Sequence, residues 1–176
     1  YAHHFLQSVL RVLGYEHRLG LISTPDRVVR VETFPMGIDY DKYALAAADH
    51  EVEHEITALR GILPGIKLIL SVDRLDYSKG ILNRLEGFEV FLETSPESHG
   101  KVALLMIVVP ARVGVLQYDL MKRQVEELVG KINGRFGRVD WTPVIYQHRQ
   151  VPFKSLAAFY AVSDVCLVTP LRDGMN

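Results

Sequence analysis

The chain has 176 residues, 48% of them hydrophobic and 23% charged, the make-up of an ordinary soluble globular protein. Lys and Arg total 20 against 21 Asp and Glu, a formal net charge of -1, which argues against a nucleic-acid binder and against a basic tail for an anionic membrane. The single cysteine, Cys166, excludes an intrachain disulfide and makes an intracellular protein the default, and no apolar run is long enough to span a bilayer.

Residues 1–13 carry Phe5, Leu6, Val9, Leu10 and Leu13 at helical spacing, and Gly14 suits the helix end. A strand is expected over 27–34, RVVRVETF, followed by the punctuated segment FPMGID at 34–39. Residues 41–60 are expected to form one polar helix, closed by Gly61. From Lys67 the rhythm becomes regular. Strands are expected over 67–73, 101–110, 142–148 and 165–170. Between them lie helices marked by Leu82, Leu85, Phe88, Phe91 and Leu92, then by Leu116 to Ile132, then over 153–164 behind Pro152. Alternating strands and helices, with strands apolar throughout, predict an α/β fold: a Rossmann-like parallel sheet with helices on both faces. The chain opens on Tyr1 without a leader pattern and stops at DGMN, where a helix is expected, so it reads as a segment of a longer protein.

In open α/β sheets ligands bind outside the carboxyl ends of the strands. Those ends carry DRLDYSKG, PARVG, QHRQVPF and PLRDGMN, and with them Arg74, Lys79, Arg112, Arg149 and Arg172. Five cations on one rim, beside a helix starting near Gly80, suit an anionic ligand. Taken one loop at a time, a blander reading suffices: Arg74 pairs with Asp73 or Asp76, and Lys79 is a solvated surface residue. Four loops together favour a phosphate-bearing ligand. No G-x-G-x-x-G or Walker motif is present, which sets aside dinucleotide and P-loop sites.

VDRLDYSKG, INGRFG, WTP, SDVCLVTPLRDGMN and FPMGID, in that family's order, resemble the trehalose-6-phosphate synthase family of retaining glycosyltransferases. The resemblance implies the GT-B fold, two Rossmann-like domains facing across a cleft. FPMGID then corresponds to the crossover, residues 1–36 to the tail of the N-terminal acceptor-side domain, and residues 37–176 to an incomplete C-terminal nucleotide-sugar domain. It also implies roles for single residues. Arg74 and Lys79 match the pair holding the donor diphosphate. Arg112 matches an arginine on the phosphate of glucose 6-phosphate. Asp173 matches an acid that hydrogen-bonds the donor glucose. Gly174, Met175 and Asn176 begin a loop whose amides meet the donor, and Val151 sits at a backbone contact to uracil. The implied reaction moves glucose from UDP-glucose to glucose 6-phosphate with retention, in the cytoplasm, with UDP-glucose as donor substrate and no metal or other cofactor. Its partners are these two small molecules, with no nucleic acid or membrane; oligomerisation is not legible. Because upstream acceptor contacts lie outside the chain, the 176 residues alone are expected to be inactive. Glucosylglycerol-phosphate synthase looks similar in the same motifs, and a non-catalytic sugar-nucleotide module is the alternative from another class.

Other signals compete. His50 to His54 spell H-E-x-x-H, but Thr57 and Arg60 stand where the extended zinc motif needs glycine and histidine, so a solvated helix face is expected. Gly134 to Gly137 spell G-x-x-G, expected to be a turn ending a helix, since a strand follows. Cys166, Trp141 and His148 are expected to be structural, Cys166 as core packing inside its strand. Asp73 and Asp76 are expected to orient their neighbours.

Overall fold

The computed structural model describes residues 1–111 and 115–173. Contacts divide the chain into two units, Tyr1–Ile38 and Asp39–Asp173, and the division falls inside FPMGID.

In the first unit, α1 (Ala2–Leu13) ends at Gly14, whose φ of 71° lets its amide bond back to the carbonyl of Leu10. Three short strands follow, β1 (His17–Arg18), β2 (Leu21–Ser23) and β3 (Val28–Arg30), in an antiparallel sheet. Only one strand, over 27–34, was legible there. The two earlier ones are joined through Leu19 and Gly20, at φ 51° and 80°, the signature of a primed two-residue hairpin. Leucine at the first turn position hides that hairpin from a reading that looks for Asn-Gly or Asp-Gly.

The second unit begins with α2 (Tyr40–Ala46) and α3 (His50–Ile62), where periodicity alone predicted a single helix. The break is chemical. Asp49 accepts a hydrogen bond from the Glu51 amide at 2.8 Å and so caps α3 in place of continuing α2. Only Val52 of α3 is buried; His50, Glu51, Glu53 and His54 face outward, with Glu51 paired to Lys154 at 2.8 Å. No group of three metal-ligating side chains occurs among the described residues.

The sheet consists of β4 (Lys67–Arg74), β5 (Val102–Val109), β6 (Val144–Gln147) and β7 (Val165–Cys166), all parallel, in the order β6-β5-β4-β7. Helices α4 (Ile81–Thr94), α5 (Leu116–Phe136) and α6 (Phe153–Val162) make the crossovers. The alternation of β5 sorts its two faces. Leu104, Met106 and Val108 pack with Ile81, Leu85 and Phe88 of α4 and Val125, Val129 and Ile132 of α5. Ala103, Leu105 and Ile107 pack with Leu68 and Leu70 of β4 and Phe159 of α6, backed by Leu59 and Leu63. A helix layer on each face explains why β5 is apolar throughout. The α/β fold expected from the sequence is the fold observed.

The strand expected over 165–170 is shorter, and Cys166 is exposed, against its expected place in the core. Among the described residues β7 pairs only with β4, through two residues, so it forms the sheet edge and its flank is uncovered. Trp141 is buried and donates from Nε1 to the Val102 carbonyl at 3.0 Å. His148 bonds to the Val108 carbonyl through Nδ1 at 3.1 Å. Gly137 caps the end of α5, so G-R-F-G is a helix terminus. Among the described residues no helix is long and apolar enough to cross a membrane.

Candidate functional site

Strand order places the site. The chain steps from β4 to β5 to β6 on one side, then returns through α6 to set β7 on the other side of β4. The loops after β4 and β7 therefore diverge from adjacent strands, and the crevice between them is where such sheets bind ligands.

The loop after β4 is built by its own side chains. Asp76 accepts from the amide and the hydroxyl of Ser78, at 2.9 and 2.8 Å, and from the hydroxyl of Tyr118 at 3.4 Å. Those bonds, led by the Ser78 amide, hold the Asp76 carboxyl below its usual range, with the charge of Arg74 adding to the effect. They fold Tyr77–Lys79 into one 3-10 turn. Gly80 follows at φ 65°, and α4 begins at Ile81. The glycine is required twice over: its φ is left-handed, and a Cβ there would lie 2.8 Å from the carbonyl oxygen of Thr169.

That close approach joins the two loops. The Ser78 carbonyl accepts from the amides of Leu171 at 2.8 Å and Arg172 at 3.2 Å. The segment after β7 is thereby laid along the turn after β4. As a result, Lys79 Nζ forms an ion pair with the carboxylate of Asp173, and both side chains are largely withdrawn from solvent, at 14% and 20% exposure. Lys79 is therefore not the solvated residue of the bland reading. Arg74, at the end of β4, is exposed and holds no carboxylate within salt-bridge distance among the described residues. Asp73 turns instead to Arg84, and Asp76 to Ser78. The simple alternative, Arg74 neutralised by either aspartate, is not what forms.

The other expected residues fall as follows. Val151 lies after β6, half-buried against the core on the α6 side. Arg149 is exposed and donates from Nε to Gln147 at 3.1 Å, and Arg172 is exposed beside Asp173. Arg112, Gly174, Met175 and Asn176 lie outside the described residues.

Sequence reasoning missed Arg84. It is 5% exposed on the inner face of α4, with Ile81, Leu85, Phe88 and Leu92. Its guanidinium meets the Ser71 hydroxyl, Asp73 Oδ2 at 2.5 Å, Thr169 Oγ1 at 2.9 Å and the carbonyl of Lys79 at 3.2 Å. A signal was present. Arg84 falls three residues after Ile81 and four before Phe88, on the apolar stripe, while Ser71 and Asp73 alternate onto the same face of a strand whose other residues between Lys67 and Arg74 are apolar.

Chemically, the two loops bring together a part-buried ammonium and a carboxylate, with an exposed arginine at the end of β4 and the start of α4 close by in the chain. That set fits a ligand with an anionic group joined to a hydroxyl-rich one.

The chain is similar to known proteins along its length. Residues 1–176 match the profile of Glycosyltransferase family 20. The 56 kDa subunit of the UDP-forming α,α-trehalose-phosphate synthase of Saccharomyces cerevisiae is 46% identical over 176 residues, covering 100% of this chain and 36% of that protein. The chain spans 24% to 38% of the length of the curated relatives it matches. Among solved structures, the N-terminal domain of Candida albicans trehalose-6-phosphate phosphatase aligns with TM-score 0.91 at 35% identity, over 100% of this chain and 38% of that one. A UDP-forming α,α-trehalose-phosphate synthase of Burkholderia xenovorans, in complex with glucose-6-phosphate, aligns with TM-score 0.90 at 38% identity, over 98% and 39%. The parallel sheet is thus one Rossmann-like half of the GT-B architecture. Profile, identity and fold coincide along the whole chain, and the chain belongs to glycosyltransferase family 20.

Proposed function

We propose that this segment is the donor-side part of a retaining glycosyltransferase that moves glucose from UDP-glucose to glucose 6-phosphate, giving trehalose 6-phosphate and UDP in the cytoplasm. In this reading residues 37–176 bind the nucleotide sugar and residues 1–36 belong to the acceptor-side domain. The observation that carries the proposal is the pairing of Lys79 with Asp173 across the β4/β7 crevice, which puts a cation for phosphate beside a carboxylate for sugar hydroxyls. The names of the relatives supply the substrate class.

The roles follow from charge. Arg74 and Lys79 take the diphosphate, and Lys79 exchanges its bond to Asp173 for one to a phosphate oxygen. Asp173, released, accepts from the donor glucose, and the backbone amides of Gly174, Met175 and Asn176 complete that side. Val151 presents its backbone to the uracil, and Arg112 holds the acceptor phosphate. As the glycosidic bond breaks, negative charge grows on UDP, and fixed cations beside it stabilise the transition state more than the ground state. The proposal assigns this neutralisation to side chains, without a metal or another cofactor. Acceptor groups come from elsewhere in the longer protein, so the 176 residues alone transfer no glucose.

Calorimetry on the full-length protein tests the reading, with UDP-glucose and glucose 6-phosphate as ligands. Lys79→Ala and Arg74→Ala should each weaken UDP binding about 10- to 100-fold, the loss of one charge-assisted hydrogen bond of about 1.5–3 kcal/mol. Unchanged affinity in both variants removes the diphosphate assignment. A second reading, a module that binds the sugar nucleotide without turnover, draws on the likeness to the phosphatase's N-terminal domain. Binding of UDP-glucose with no trehalose 6-phosphate formed by the full-length protein would favour it.

A further inference from the structure

We propose that Arg84 is a positioning residue for the diphosphate site: from behind the crevice, its buried guanidinium sets the backbone of Lys79 and the course of the segment that carries Asp173. The inference rests on the functional reading above, in which Lys79 binds the donor diphosphate.

The geometry is specific. One guanidinium reaches three separate stretches of chain. Nη1 donates to Ser71 and Asp73 at the end of β4, Nε donates to Thr169 after β7, and Nη2 donates to the carbonyl of Lys79. All three nitrogens are used. A lysine at this place has one nitrogen and no planar fork, so it cannot satisfy the four acceptors together. The bond to the Lys79 carbonyl lies next to Gly80, the left-handed residue on which the turn pivots. The bond to Thr169 lies next to the carbonyl that closes on Gly80. Arg84 thus holds both sides of the contact that brings Lys79 to Asp173.

Stability alone does not call for this arrangement. The Arg84 side chain is 1% exposed and its partner Asp73 14%, so the pair is withdrawn from water. Replacing such a buried pair by apolar side chains of similar size is often neutral or stabilising. Every neighbour of Arg84 on the inner face of α4 is apolar except Glu89, so a leucine there, with an apolar partner in place of Asp73, would extend a ready-made core. What the ion pair supplies and a leucine cannot is direction: four fixed acceptors define one arrangement of two loops. Asp73 serves this arrangement by neutralising Arg84, which leaves Arg74 and Lys79 as the cations facing the ligand.

The test compares UDP with uridine on the full-length protein, because uridine lacks the diphosphate and does not meet Lys79. Arg84→Lys should weaken UDP about tenfold and uridine less than about twofold, the loss of alignment at one charge-assisted bond. In the Lys79→Ala background, Arg84→Lys should cost UDP little more, the non-additivity expected of residues acting through one another. Equal weakening of UDP and uridine, or full additivity with Lys79→Ala, would show a merely structural role and overturn the inference. If Arg84→Lys does not fold, Thr169→Val decides by the same comparison: it removes one acceptor and should weaken UDP about threefold while sparing uridine. Equal effects on the two ligands, or none, count against the inference. If Lys79→Ala leaves UDP binding intact, the assignment of Lys79 to the diphosphate fails first, and that result is separate from any obtained at Arg84.

Discussion

Replacing Gly80 by alanine tests the joint between the two loops. The residue sits at φ 65°, a conformation that costs an L-residue about 1–2 kcal/mol. The new methyl would also lie 2.8 Å from the Thr169 carbonyl oxygen and 3.3 Å from Leu171 Cγ. The first of these is backbone and cannot swing away, so the segment 169–171 must move. That movement stretches the bonds from the Leu171 and Arg172 amides to the Ser78 carbonyl, at 2.8 and 3.2 Å. Each contributes about 0.5–1.5 kcal/mol. Together with the backbone cost, the joint loses about 2–5 kcal/mol, which makes local opening at least about 30-fold more frequent. Hydrogen exchange at the amides of Leu171 and Arg172 reports that opening directly, and the amides of Leu104 and Met106 in β5 serve as internal controls. The expected result is faster exchange at 171 and 172 with β5 unchanged. Unaltered exchange at both loop amides would refute the idea that Gly80 holds the crevice together.

Other outcomes follow from the core and the turn. Leu104→Ala removes a fully buried side chain from the middle of β5 and should cost about 2–5 kcal/mol, read as a lower midpoint in urea or heat. For Asp76, hydrogen bonds from Ser78 depress the carboxyl in the fold below its ordinary value of 3.8. A depressed acid stabilises the fold above the unfolded value, and the contribution is lost as pH falls through the folded one. Asp76→Asn should therefore lower the protection of the 77–79 turn at neutral pH and flatten its dependence on pH below about 4, measured by exchange or by denaturation across an acid series.

Much of the fold was legible because the sheet is buried on both faces. Continuous apolar strands such as 101–110 require a helix layer on each side, and the intervening helices carry their stripes openly. Two failures have a common cause. The hairpin at Leu19 and Gly20 and the break at Asp49 are both decided by a single backbone or side-chain interaction, which periodicity averages away. Cys166 failed for another reason: hydrophobic pattern places a residue in a strand but does not tell whether that strand has neighbours on both sides.

The site divides in the same way. Sequence alone determined which residues follow the strands, hence that Arg74, Lys79 and Asp173 lie on one rim, and motif resemblance attached them to a family. These are properties of chain order, which the βαβ crossover converts into position without further information. Only the tertiary structure decided that Lys79 meets Asp173 while Arg74 remains exposed, that Asp73 turns inward, and that a buried Arg84 fastens the loops from behind. The pairings of Lys79 with Asp173 and of Arg84 with Thr169 join residues 94 and 85 positions apart, through acceptors that come into place only once β7 has docked beside β4. Local sequence carries the charges; which charge faces which is set by the register of strands that are remote in the chain.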